Sequence, residues 1–265
     1  LKKLSINLSN RELGAAYKQS GFCCLPSEAL TSEQVKSATM AVSQVRDGHF
    51  DTGLPPSSHP GYEPKKLCKI NDAHLASSAL YNLLTKSQFG TQIAKVTDSS
   101  FVQVWATQLL IKPPGSGTNG HVGWHQDRQY WRYWQGEDGL FTAWIALSEV
   151  DEKSGPMRFV VNSHQWGFLD KGDFFASDQE TLKKNIENAV DKKWVEEVAV
   201  LPIGRISLHH CLTVHGSLAN ESTKPRISLA VHLRNQNTTP IPENDNYYVS
   251  NLEDKRYSPI IFGKM

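Results

Sequence analysis

The chain has 265 residues, 39% apolar and 21% charged, the composition of an ordinary globular protein long enough for a substantial core. A formal net charge of +1 supplies no strong field for nucleic acid or an anionic membrane surface, and no run of about 18 apolar residues is present to cross a bilayer, so the expected partner is a small molecule. The four cysteines, Cys23, Cys24, Cys68 and Cys211, have neither metal-type spacing nor the density of a disulfide framework, so free buried thiols in a reducing cytoplasm are expected.

Ser9-Asn10-Arg11-Glu12 is a capping box that opens a helix, and Gly21 should end it. Phe22 to Leu25 is a short apolar run stopped by Pro26, hence a strand. Thr31-Ser32-Glu33-Gln34 is a second capping box whose helix should reach about Val45, with Gly48 just beyond. Pro55, Pro56, Pro60 and Gly61 make Asp51 to Pro64 a loop, and a third helix is predicted around Ser77 to Thr85. From Phe101 to Ile111 the texture turns β-rich, ending at Pro113-Pro114-Gly115. Further strands are predicted at His121–Gln126, Phe141–Leu147, Met157–Val161, Val195–Leu201, Arg205–His210 and Arg226–Leu233, with a helical insertion near Glu180 to Val190. Many short strands between Gly and Pro turns predict a mainly β fold with flanking helices, a sandwich or barrel of jelly-roll or cupin-like form. Without an internal repeat or clean linker, the expected organisation is one domain over 1–265: a helix-rich part to about 100, a β core over about 101–235, and an extension over 236–265.

The informative window is Gly123-Trp124-His125-Gln126-Asp127-Arg128. Side chains two apart on a strand face the same way, so His125 and Asp127 should project together. A later strand must supply a third ligand. His215 is the candidate, with His209 and His210 competing. Two histidines and one carboxylate on one face leave three metal positions open, which suits Fe(II) oxygenases that admit a chelating co-substrate and O2. In a chain with ten histidines a His-x-Asp pair is a weak signal on its own. Arg226, eleven residues past His215, strengthens it. A turn through Asn220 to Pro225 should bring the next strand back beside His215 and set Arg226 deep in the barrel. A buried guanidinium needs a bidentate anionic partner, and the distal carboxylate of 2-oxoglutarate would serve. A surface arginine after a Lys-Pro turn is the plainer alternative.

These elements together resemble the phytanoyl-CoA dioxygenase-like family of Fe(II)/2-oxoglutarate oxygenases, which includes ectoine-type hydroxylases. The resemblance rests on Trp124-His125-Gln126-Asp127, Thr142 to Leu147, Ser154-Gly155-Pro156-Met157 through Asn162-Ser163-His164, His215-Gly216-Ser217 and Pro225-Arg226. It spans about Gln108 to Leu233, and the N-terminal helix, Gly21-Phe22 and Leu25-Pro26 also fit. It implies a double-stranded β-helix core, with Fe(II) on His125, Asp127 and His215 and 2-oxoglutarate held by Arg226. It further implies Gln108, Thr142 and Ser217 as polar contacts to the co-substrate, and Trp131 as an aromatic wall. Val160-Val161-Asn162-Ser163-His164 departs from the Ile-Pro-Gly-Ser-His segment common in relatives, but Asn also tolerates the left-handed conformation. The implied chemistry consumes O2 and 2-oxoglutarate, releases succinate and CO2, and hydroxylates a C–H bond by default. Desaturation and ring closure draw on the same chemistry. With Asp127 present, a halogenase is not expected.

Trp124, Arg128, Tyr130 and Arg158 are candidate substrate contacts, since arginines among aromatics suit an anionic or zwitterionic small molecule. The plainer readings are core packing for the tryptophans and a solvated loop for the arginines. The expected assembly is a monomer or homodimer. A zinc-dependent hydrolase on the same three ligands, or a non-catalytic β-sandwich binding protein, are the rival functions.

Overall fold

The computed structural model describes residues 1–115 and 117–265. In chain order the strands are β1 (Lys2–Lys3), β2 (Phe22–Cys24), β3 (Cys68–Asn71), β4 (Phe101–Lys112), β5 (Val122–His125), β6 (Trp134–Gln135), β7 (Leu140–Ala146), β8 (Met157–Val160), β9 (Glu196–Val198), β10 (Ile206–His210), β11 (His215–Ser217), β12 (Arg226–Arg234), β13 (Thr239–Pro240) and β14 (Ile260–Gly263). The helices are α1 (Asn10–Ser20), α2 (Ser32–Arg46), α3 (Ala73–Ala76), α4 (Ser78–Thr85), α5 (Phe89–Thr97), α6 (Gln179–Ala189) and α7 (Tyr247–Ser250).

Local chemistry sets the predicted helix ends. Ser9 and Glu12 close a capping box on α1, and Thr31 and Gln34 do the same on α2. Gly21 terminates α1 in the left-handed region, at φ 86°. Asn162 also sits there, at φ 64°, doing what a glycine would do at the turn after β8. The predicted strands are present with ends shifted by one or two residues in most cases, although the last predicted one before β10 is trimmed to Glu196–Val198. Helix α5 and strands β3 and β14 were not anticipated.

Twelve of the strands build two facing sheets, and β6 and β13 pair separately. The larger runs β14-β4-β12-β7-β10-β2, with β3 also paired to β4, and the smaller runs β1-β9-β8-β11-β5. All pairings are antiparallel except β1 with β9. Strand periodicity then sorts the side chains of the larger sheet. Phe141, Ala143 and Ile145 of β7 and Leu229, Val231 and Leu233 of β12 join the helices in the main apolar core. Thr142 and Trp144 of β7 and Arg226, Ala230 and His232 of β12 point the other way, into the space between the sheets. This closed pair of antiparallel sheets with helices packed outside is a double-stranded β-helix.

The turn after Asn220 does not return the chain beside His215. Strand β12 crosses to the opposite sheet, between β4 and β7, so Arg226 faces the small sheet across the barrel. The residue alternation on both sheets still directs the two side chains into one interior. Cys23, Cys24, Cys68 and Cys211 are free and buried. Among the described residues no helix is long and apolar enough to cross a membrane.

Candidate metal centre

His125 closes β5 and His215 opens β11, and the two residues are directly opposed in the antiparallel register. Their rings lie 4.2 Å apart between centroids. Asp127 does not lie on the strand. It opens a 3-10 turn, Asp127–Gln129, after an extended Gln126. That one extended residue preserves the side-chain alternation, so His125 and Asp127 project together as expected. Ligand atoms of His125, Asp127 and His215 all lie within 4.8 Å of one another, and all three residues are buried.

Each ligand is oriented from behind. His125 Nδ1 lies 2.8 Å from the Gly123 carbonyl, and His215 Nδ1 lies 2.9 Å from that of Thr213. A carbonyl can only accept, so both Nδ1 atoms carry the proton and both Nε2 lone pairs are left for a metal. Each Nε2 is 3.6 Å from Asp127 Oδ1. The other carboxylate oxygen, Oδ2, accepts from the Thr142 hydroxyl at 2.7 Å and from His209 Nε2 at 3.2 Å. Oδ1 is thus the free coordinating atom. Thr142 spends its proton on Asp127, so it accepts from His232 Nδ1 at 3.0 Å, which sets that tautomer too.

Electrostatics agree with this division. Burial raises the Asp127 carboxyl, but the surrounding imidazoles of His215, His125 and His209 favour its anion and hold the group well below its usual range. Burial, reinforced by His125 and His209, holds His215 well below the ordinary imidazole value and so neutral. An anionic oxygen and two imidazole Nε2 atoms form a donor set suited to a divalent first-row metal such as Fe(II).

The cavity over these ligands is also lined by Gln108, Trp144, Phe174, Ser217, Arg226 and His232. Arg226 is 1% exposed. Its Nη1 donates to the Gly155 carbonyl at 2.7 Å and its guanidinium lies over the Trp144 ring at 5.1 Å. Its Nε has no partner among the described residues, and no carboxylate pairs with it there. Burial lowers its pKa to about 9. A buried cation with a donor to spare fits a carboxylate-bearing ligand such as 2-oxoglutarate.

The remaining predicted residues divide. Gln108 and Ser217 line the cavity. Thr142 lines it too, but its hydroxyl is committed to Asp127 rather than free for a co-substrate. Trp131 stands behind His232, edge-on to that ring and to Trp105, within an aromatic core. Tyr130 is partly exposed near His125, and its hydroxyl accepts from the Phe174 amide. Trp124 and Arg158 face away from the cavity. Trp124 packs on Trp194 outside the barrel, and Arg158 lies over Trp124 and pairs with Glu196. Arg128 is turned inward to Glu137 and to the carbonyls of Trp131 and Trp134, clasping its own loop. His210 points away toward His164 and Asp138, while His209 lines the cavity on Asp127 Oδ2 and His215 faces Oδ1 beside His125.

Residues that motif reading passes over are His232, Trp144, Phe174 and Lys69, and it offers His209 only as a competing third ligand rather than as a partner of Asp127. Strand parity could have found His209, because Ile206 and Leu208 face the outer core and leave His209 inside. Lys69 sits on β3 directly opposite Leu110, which lines the cavity, and its ammonium lies 4.9 Å from the Phe174 ring.

The chain is similar to several known proteins. It is 26% identical over 189 residues to the probable alpha-ketoglutarate-dependent hypophosphite dioxygenase of Stutzerimonas stutzeri, a match covering 71% of this chain and 64% of that protein. It is 29% identical over 187 residues to phytanoyl-CoA dioxygenase domain-containing protein 1 of Danio rerio, covering 68% and 62%. The chain therefore spans somewhat under two thirds of the length of these curated relatives. In fold it resembles the non-heme alpha ketoglutarate dependent carbocyclase SnoK from nogalamycin biosynthesis, with a TM-score of 0.73, 20% identity, and coverage of 96% of this chain and 97% of SnoK. The phytanoyl-CoA dioxygenase (PhyH) profile matches residues 17–228. That stretch takes in both strand histidines, the turn aspartate and the buried arginine, and the chain belongs to the phytanoyl-CoA dioxygenase family.

Proposed function

We propose that this chain is a non-haem Fe(II)- and 2-oxoglutarate-dependent dioxygenase that oxidises a small polar molecule. The observation that carries the proposal is a single cavity lined by a pre-oriented His/Asp/His set and a buried arginine with no carboxylate partner among the described residues. In this reading His125, Asp127 and His215 hold the iron, and Arg226, steadied by Trp144 and Gly155, takes the far carboxylate of 2-oxoglutarate. Gln108 and Ser217 add polar contacts to it. Bound iron supplies O2 activation coupled to decarboxylation of 2-oxoglutarate to succinate and CO2, with the second oxygen atom left for the substrate. The protein's own part is to hold Asp127 ionised, keep the His215 imidazole neutral, and shield the site beneath Phe174.

Hydroxylation is the outcome we favour. For the substrate, an anionic or zwitterionic small molecule is supported by Lys69, a half-buried ammonium beside the cavity that pairs with no carboxylate among the described residues. The relative named for hypophosphite, a small oxyanion, points the same way. A zinc hydrolase would use the same three ligands but has no use for Arg226.

The test is to add Fe(II) and 2-oxoglutarate to the protein under nitrogen and record the visible spectrum. A weak metal-to-ligand charge-transfer band is expected, lost in His215→Ala and shifted to much higher 2-oxoglutarate concentration in Arg226→Ala. Confirmed iron binding with no band in the wild type would overturn the proposal.

A further inference from the structure

Lys112, the last residue of β4, is a lysine with 0% exposure in the barrel wall. It is directly opposite Arg226 in the β4–β12 register. Its Nζ donates to Ser217 Oγ at 2.7 Å and to the Leu218 carbonyl at 2.5 Å. No carboxylate pairs with it among the described residues. Two cations are therefore buried side by side without a counter-charge, an arrangement that is costly unless an anion joins them. Burial first, and then the neighbouring Arg226, lower the Lys112 pKa well below its ordinary value, and an anion bound beside the pair favours the ammonium.

The donor chemistry gives Lys112 a specific consequence. An ammonium offers only donors, so Ser217 Oγ must accept from it. The hydroxyl proton of Ser217 is then free to be given elsewhere. Ser217 is paired with Met157 and Val122 on the neighbouring strands and, like them, lines the cavity. Ser217 and Arg226 thus face one cavity, with the serine proton available to a ligand there.

We propose that Lys112 is a positioning residue for the co-substrate: it fixes the Ser217 hydroxyl as a donor to the far carboxylate of 2-oxoglutarate, and its charge adds to that of Arg226 so that the site selects a dicarboxylate over a monocarboxylate. This rests on the function proposed above and extends it to a residue outside the binding motifs. Lys112 reaches the carboxylate through Ser217 and does not touch the reacting atoms.

The experiment measures 2-oxoglutarate binding to Mn(II)-loaded protein by calorimetry, with 2-oxobutyrate as a probe that lacks the far carboxylate. Wild type, Lys112→Met, Lys112→Gln, Ser217→Ala and the double variant K112M/S217A are compared. Loss of a charge-assisted hydrogen bond should weaken 2-oxoglutarate binding about ten-fold or more in K112M and K112Q. Weak 2-oxobutyrate binding and metal affinity should be unchanged, so selectivity falls. The double variant should bind little worse than the weaker single one, because both substitutions break one unit. Wild-type affinity in the folded Lys112 variants, equal losses for both ligands, or fully additive losses would each overturn the inference. K112Q retains a polar side chain of similar length, so it serves if K112M does not fold. If neither folds, wild-type affinity in S217A overturns the inference, and a ten-fold loss confined to 2-oxoglutarate supports it. If the wild-type metal-loaded protein binds no 2-oxoglutarate, the proposed function itself fails; if it binds and the Lys112 variants match it, only this inference fails.

Discussion

Asp127 shows how much of a candidate metal centre lies behind the residues that would hold the ion. One of its oxygens is left for metal only because the other is occupied by Thr142 and His209. Removing the Thr142 hydroxyl as Thr142→Val keeps the volume but leaves Oδ2 short of a donor and frees His232 Nδ1. Loss of such an outer partner lowers metal affinity about 10- to 100-fold. We expect a drop of that size for Fe(II) or Mn(II) in competition with a chelator, with the fold retained; unchanged affinity would show that Thr142 does not orient Asp127.

At the scale of elements, the site depends on close approach between a loop and a strand. The segment after the 3-10 turn at Ser163–Trp166 runs back over β5, with the Asp173 amide donating to the Trp124 carbonyl at 3.0 Å. Gln129 ties the Gly172 carbonyl at 2.8 Å, and Phe174 lies edge-on to the His125 ring at 5.2 Å. Gly172 makes this approach feasible, because a Cβ there would lie 2.4 Å from His125 Cα and 2.5 Å from the Trp124 carbonyl oxygen. Gly172→Ala must therefore push the loop off β5. Overpacking of this kind costs about 1–3 kcal/mol. The expected result is a lower thermal midpoint together with weaker metal binding, since His125 loses its cover. A variant with wild-type midpoint and metal affinity would contradict the account.

At the scale of the whole molecule, the interior holds several buried neutral imidazoles, and they make stability depend on acid. Burial pushes His232 down to about 4, and burial, helped by His164, does the same for His210. Unfolded imidazoles titrate near 6.5, so between about pH 6.5 and 4 the unfolded chain binds more protons than the folded one. The stabilisation is complete above about pH 6.5 and is lost as pH falls toward 4, on the order of 3 kcal/mol for each group. Thermal midpoints should thus fall steeply from pH 7 to pH 4.5, and His210→Gln should flatten part of that slope. A midpoint independent of pH over this window would rule out the buried-neutral assignment.

Much of this was legible in the linear chain because it depends on local rules. The capping boxes at Ser9 and Thr31, the stop at Gly21 and the left-handed Asn162 need only near neighbours. The strand alternation that pairs His125 with Asp127 survives even though Asp127 leaves the strand. Other features needed chain brought together from far apart. That His209 and His215 meet the aspartate from opposite sides while His210 turns away depends on β10 and β11 lying in different sheets. Arg158 and Trp124 look like substrate contacts in the sequence, yet strand parity and the β8–β9 pairing turn them outward to Glu196 and Trp194. Lys112 reads as an ordinary charge before Pro113, and only its register with Arg226 makes it a buried cation. The sequence alone determined most of the elements, the donor types at the candidate site and the family pattern, because these follow largely from local spacing and from residue chemistry. Only the tertiary structure decided which polar groups share the cavity and which are spent on each other, because hydrogen-bond partners, burial and missing counter-charges arise when distant strands close on one another.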